Sequence, residues 1–370
     1  MMKIIHLRAH HGHAKRNYPL QENFEMSPKQ LNVQPNALSE LLATRDWLLA
    51  DGATGTTLFN MGLQSGDAPE LWNFEHRDRI TALYKGAIDA GSDIFLTNTF
   101  GGNASRLKLH NIEDQVYEIN KVAAEIARDV ADQSGRKVAV AGSVGPTGEI
   151  MTPMGALTYS SAVEMFHEQA EGLKAGGADV LWCETISAGE EFKAAAEAFA
   201  LADMPWCGTM SFDTAGRTMM GLTSAELVKL VKKLPNPPIA FGANCGVGAS
   251  DLLRTILGFG ATVPEQPVIA KGNAGIPKYV EGHIHYDGTP ELMADYACLA
   301  RNSGAKIIGG CCGTTPDHLR AMRAALETRP KEDAPTLDAI TAALGGFSSI
   351  SDGTDGAGPV RGPRRGRIRS

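Results

Sequence analysis

Three of the six cysteines sit among glycines: Cys245 in GANCGVG (242–248), and the adjacent pair Cys311 and Cys312 in GGCCGTT (309–315). Three thiolates suit a soft divalent ion such as zinc. Sulfur would lie about 2.3 Å from the metal, and with only three protein ligands the fourth tetrahedral position stays open. Consecutive residues of a regular strand face opposite sides, so Cys311 and Cys312 can share one ion only where the strand breaks up. Gly309, Gly310 and Gly313 supply that backbone freedom. A strained vicinal disulfide between Cys311 and Cys312 is the alternative, but it leaves Cys245 unexplained. Cys183, Cys207 and Cys298 stand in apolar runs and read as small buried hydrophobes. A thiol entering the open position is ionised by the metal, whereas a free thiol of pKa about 8.5 is only a few per cent thiolate near pH 7. The chemistry expected is attack by a substrate thiolate, with one Zn2+ per chain and no catalytic side chain beyond that activation.

Such a site needs a frame that brings residues 245 and 311 together. Eight short apolar runs alternate with longer helical stretches: Asp46–Asp51, Asp93–Asn98, Val138–Ser143, Asp179–Glu184, Trp206–Ser211, Ile239–Cys245, Pro267–Lys271 and Lys306–Cys311. Between them, Val116, Ile119, Val122, Ile126 and Val130 step along one helical face, as do Val163, Phe166, Ala170 and Leu173. Glycines just before the following strand, in DAGSD (89–93), KAGGAD (174–179) and NSGAK (302–306), suit left-handed helix caps. The pattern predicts an α/β fold, a (β/α)8 TIM barrel over 41–330, with an N-terminal tail at 1–40 and a flexible C-terminal tail at 331–370. An open doubly wound sheet is the rival, but no phosphate-binding fingerprint accompanies it. Barrel active sites lie at the C-terminal ends of the strands. There the sequence places Asp51, Asn98, Ser143, Glu184, Ser211, Asn244, Cys245, Asn273, Cys311 and Cys312, the cysteines being two strands apart.

At 370 residues and 43% hydrophobic, the chain has material for one large core. A net charge of -7 argues against a nucleic-acid partner and for a small-molecule one. The absence of a long apolar run or a signal-like start argues for a cytoplasmic protein without a membrane partner. The tract HLRAHHGHAK (6–15) reads as a solvated tail, with Met26 an alternative first residue, and DGTDGAGPVRGPRRGRIRS (352–370) as a flexible end.

The segments DGATGTTL (51–58), TNTFGGN (97–103), CET (183–185), GANCGVG and GGCCGTT together resemble the homocysteine S-methyltransferase family over residues 45 to 328. The run KYVEGHIHYDGTPELMADYA (278–297) is similar to bacterial betaine-homocysteine methyltransferases. The resemblance implies that Cys245, Cys311 and Cys312 bind zinc and that homocysteine, through its thiolate, receives a methyl group to give methionine. It implies that Asp51 and Glu184 surround the substrate ammonium, for which carboxylates are the natural acceptors. Gly52, whose turn amides suit the α-carboxylate, and Asn98 complete the expected substrate site. Taken alone, Asp51 reads equally as a turn cap and Glu184 as an ion pair at the barrel mouth.

Betaine, which would leave dimethylglycine, is the first donor implied, and its quaternary ammonium calls for aromatic faces. Trp72, Phe100 and Tyr286 are the candidates, with Phe212 assigned to the core. Thr54 and Thr185 stand where the animal betaine enzymes carry aromatic residues, which thins the expected cage. A separate methylated corrinoid protein or S-methylmethionine is therefore the rival donor. A reading of another class, a non-catalytic zinc-binding subunit, requires a fourth protein ligand, for which His283 and His285 are the nearest histidines.

Overall fold

The computed structural model describes residues 36–353, apart from 263, 277, 281 and 282 and the side chains of 278–280 and 283–285. The histidine tract, residues 354–370 and the His283 and His285 side chains lie outside the described residues.

Each predicted apolar run becomes a strand. The barrel strands are β1 (Leu48–Leu49), β2 (Ile94–Leu96), β3 (Ala139–Val144), β4 (Val180–Ile186), β5 (Trp206–Met210), β6 (Ala240–Cys245) and β7 (Val268–Gly272). A short antiparallel hairpin, β8 (Lys278–Val280) and β9 (His283–His285), precedes the last barrel strand, β10 (Ala305–Gly310). The parallel order is β1-β10-β7-β6-β5-β4-β3-β2. The two edges meet through a parallel bridge between Ala50 and Ile94 and the Asp93 N–H donating to the Leu49 carbonyl at 2.6 Å, so the sheet closes on itself. Closure removes the doubly wound alternative.

Strand alternation divides the core in two. Leu48, Ala50, Ile94, Leu96, Trp182 and Ile307 form the inner cluster, joined by Leu38 and Leu41 of helix Ala37–Thr44. Their neighbours Leu49, Phe95, Leu181 and Ile308 belong to the larger cluster shared with the surrounding helices. Cys183, Cys207 and Cys298 are buried. The expected glycine caps all adopt left-handed backbone: Gly91 at φ +103°, Gly177 at +91° and Gly304 at +98°. No helix among the described residues is long and apolar enough to cross a membrane.

Packed structure continues past both boundaries drawn from the sequence. The N-terminal helix begins at residue 37, and helix Leu337–Leu344 buries Ile340. Beyond it, Ser250 Oγ donates to the Gly345 carbonyl, Ser348 N–H to Asp251 Oδ2, and Arg254 Nη1 to the Ser349 carbonyl. Up to residue 353 the expected C-terminal tail is therefore a strap across helix Ala249–Gly260. Residue types concealed it, because the strap's own backbone groups make these bonds.

Candidate metal and substrate site

Cys245 ends β6 with φ at +62°, an uncommon conformation for a side-chain-bearing residue, which turns the chain away from the strand. Gly246 at +76° continues the turn. Cys311 and Cys312 follow β10 directly, and Gly313 at φ +79° lets the chain fold back. The Cys311 N–H donates to the Gly272 carbonyl at 2.7 Å, and the Cys312 N–H to Asn273 Oδ1 at 3.1 Å. Asn273 also donates from its amide to the Gly246 carbonyl at 2.8 Å, so one side chain just past β7 holds both cysteine loops. The Asn244 amide lies 3.8 Å from Cys311 Sγ and donates to Thr185 Oγ1 at 2.8 Å.

The Sγ atoms of Cys245, Cys311 and Cys312 all lie within 4.8 Å of one another, and the three residues are half-buried free thiols. Tetrahedral bonds of about 2.3 Å ask for sulfur separations of roughly 3.8 Å, so the set fits zinc with little adjustment. The electrostatics agree. Hydrogen bonding to Cys311 and burial push the Cys245 thiol up to about 12. Hydrogen bonding to Cys245 and burial push Cys312 to about 11. The hydrogen bond with Cys245 acts downward on Cys311, but Cys312 and burial outweigh it. Thiols that cannot ionise side by side unaided are ones for which a divalent cation is the natural counter-charge.

Beside them lies a charged cluster. Lys271, near the end of β7 and 2% exposed, places Nζ 2.6 Å from Asp51 Oδ1 and 5.5 Å from the centre of the Trp182 ring. The other Asp51 oxygen accepts the Leu96 N–H at 2.8 Å. Burial alone would lower the Lys271 ammonium, but Asp51 and Glu184 hold it above its ordinary value. Glu184, half-buried on β4, accepts from Ser143 Oγ at 2.5 Å. Burial raises its carboxyl, against the opposing pull of Lys271 and Ser143. Sequence reading missed Lys271. The available signal was a lysine closing an otherwise apolar strand.

Among the other expected residues, Gly52 sits where any Cβ would come within 2.5 Å of the Thr314 carbonyl, so β1 and the double-cysteine loop need glycine there to pack. Asn98 gives its amide to the Pro69 carbonyl at 2.7 Å and to Asn73, and buttresses the loop after β2. Trp72 is core, with Arg79 over its ring at 4.9 Å. Phe100 is 36% exposed and lies against Gly145. Phe212 is buried edge-on against Phe259. Tyr286 packs against Gly313 in the double-cysteine loop, and its hydroxyl is within electrostatic reach of all three thiols. Of the four aromatics, it is the one the described contacts place at the thiols.

Fold and site together put this chain among barrel enzymes that gather their reactive groups at the C-terminal ends of the strands. Within that class it belongs to the homocysteine S-methyltransferase family, whose profile matches residues 48–326. It is 30% identical over 320 residues to the methionine synthase of Mycobacterium tuberculosis. That match covers 80% of this chain, which spans about a quarter (26%) of the relative's length. Among solved structures it is similar to the homocysteine methyltransferase MmuM from Escherichia coli. The oxidized form aligns at 26% identity and TM-score 0.65, covering 78% of this chain and 99% of the other. The metallated form aligns at 24% identity with the same TM-score and coverage.

Proposed function

We propose that this protein makes methionine by zinc-dependent methyl transfer to homocysteine, with betaine as donor. The convergence of Cys245, Cys311 and Cys312 at the barrel mouth carries the reading. Zinc held by these three thiolates would supply the positive charge that ionises the substrate thiol at neutral pH. The protein's own groups do the rest. Asn273 and Asn244 keep the two cysteine loops in place. Glu184 suits the substrate ammonium, and the turn that begins at Gly52 suits the α-carboxylate.

The homocysteine sulfur forms a bond to the methyl carbon as the carbon–nitrogen bond of betaine breaks. The electron pair stays on nitrogen and dimethylglycine leaves as a neutral amine, so no general acid is needed. Alignment of sulfur, carbon and nitrogen then dominates the rate, and good positioning contributes up to about 7–11 kcal/mol. The Tyr286 ring beside the thiols supports a cationic donor.

A second reading has its own observation. Phe100, Ile150, Met154, Met219, Met220 and Ile276 are exposed apolar residues in loops that follow barrel strands. An apolar rim suits a donor carried by a protein, such as a methylated corrinoid protein, better than a free small molecule. The test is methionine formation by the zinc-loaded protein from homocysteine and betaine, with and without chelator. Formation that chelation abolishes supports the first reading. No methionine from betaine, but formation when a methylated corrinoid protein is added, supports the second. Homocysteine that fails to bind the zinc-loaded protein sinks both.

A further inference from the structure

The resemblance implies that Asp51 touches the substrate ammonium, but the geometry around Asp51 points elsewhere. Both its oxygens have resident partners, Lys271 Nζ at 2.6 Å and the Leu96 N–H at 2.8 Å. Lys271 stands in register with Asn244 on β6 and Gly309 on β10 and is enclosed by the barrel, its ammonium facing the Trp182 ring. Glu184 is differently placed. It is half-buried, its Oε1 is bound by Ser143, and among the described residues it makes no hydrogen bond to Lys271, although the two feel each other's charge. Asp51, Lys271 and Glu184 together carry one net negative charge, the complement of a single ammonium.

We propose that Lys271 is a positioning residue for substrate selectivity, tethered by Asp51 so that Glu184 remains open to the α-ammonium of a thiol amino acid. The inference rests on the homocysteine reading above. With the tether cut, the buried lysine has one carboxylate left to turn to, Glu184, and would occupy the place of the substrate ammonium. Without Lys271, two carboxylates would face each other in a low-dielectric pocket. Asp51 thus acts on the substrate through the lysine.

The experiment compares L-homocysteine with 4-mercaptobutanoate, which keeps the thiol and carboxylate and lacks the ammonium. Calorimetry on the zinc-loaded protein gives the ratio of their dissociation constants, with bound zinc and circular dichroism checked for each variant. The native protein should prefer homocysteine by roughly 10- to 100-fold. Asp51→Asn, which preserves an acceptor for the Leu96 N–H, should bring the ratio within about threefold of unity. Adding Lys271→Met to Asp51→Asn should restore it to within about threefold of native, since the competitor has gone.

A double variant as indiscriminate as Asp51→Asn alone would overturn the proposal and assign Asp51 to direct ammonium contact. Retained selectivity in Asp51→Asn, or in Glu184→Gln, would overturn it too. If the double variant does not fold, Lys271→Gln replaces Lys271→Met. A native protein that binds both thiols equally removes this inference and leaves the thiol reading standing. One that binds neither removes both.

Discussion

Two buried aspartates, one at each end of the barrel, show how this molecule divides its work. Asp93, just before β2, is fully buried and meets three guanidinium groups: Arg45 at 2.6 Å, Arg136 at 3.3 Å and Arg323 at 3.0 Å. It also accepts the Leu49 N–H at 3.0 Å. Asp51, at the opposite end of β1, has one lysine and one backbone N–H, with a second carboxylate close by. The first cluster has cations to spare and joins the segments before β1, β2 and β3 to helix Pro316–Thr328. The second is left one positive charge short, next to three thiols that cannot ionise together unaided. One face is saturated and holds the barrel shut. The other is left unsatisfied in a way that a cationic head group and a metal ion would complete.

The contrast can be broken in order of expected effect. Cys245→Ala, Cys311→Ala and Cys312→Ala should each abolish zinc binding and lower methyl transfer by more than about 100-fold, beyond the loss typical of outer-sphere changes around a metal. The melting temperature of the apo-protein should stay close to native, because these half-buried residues sit outside both main apolar clusters. Full activity in any one variant removes that cysteine from the ligand set.

At the closed face, Asp93→Ala strands three partly buried arginines and should cost about 3–5 kcal/mol of folding stability. Homocysteine affinity of the molecules that remain folded should not change. A shift in that affinity without a loss in chemical denaturation midpoint would show that the two ends are not separate.

Glu184→Gln should leave stability nearly intact and weaken homocysteine binding by about 1.5–3 kcal/mol, the range for a hydrogen bond to a charged group. Burial lifts the Glu184 carboxyl, so the preference for homocysteine over its des-amino analogue should fade on acidification at a pH above the ordinary carboxylate range. The sign follows from the ion pair, which needs the ionised carboxylate and is lost as pH drops through the raised value. Selectivity that stays flat across that range would place the ammonium elsewhere.

What the sequence made legible is local. Each of the eight strands announces itself by an apolar run, the helix ends by their glycines, and the metal site by two glycine-flanked cysteine motifs. What stayed hidden depends on partners far apart in the chain. Lys271 looked like the polar end of a strand because its partner, Asp51, lies 220 residues away. Asp93 likewise draws Arg323 from 230 residues away. Trp72 appeared available near the first two strands, but proximity in sequence says nothing about which ring face is covered, and Arg79 covers it. The strap beyond residue 335 stayed hidden although LDAITAAL (337–344) is apolar, because it follows the last strand and helix that a barrel requires. Its grip on helix Ala249–Gly260 uses its own backbone groups, which leave no mark on residue type.

That strap offers the smallest and most discriminating change. It lies past the end of the family match at residue 326, yet it grips helix Ala249–Gly260, which starts four residues after Cys245. Thr336 caps its helix by accepting the Ala339 N–H at 3.2 Å, and Thr336→Ala should cost about 1 kcal/mol. The change is remote from every thiol and carboxylate of the site. If thermal stability alone falls, the strap belongs with the Asp93 face as part of what holds the barrel together. If zinc affinity falls with it, the grip on Ser250, Asp251 and Arg254 is transmitted through the turn at Gly246 to Cys245, and the working face reaches beyond the family's own boundaries.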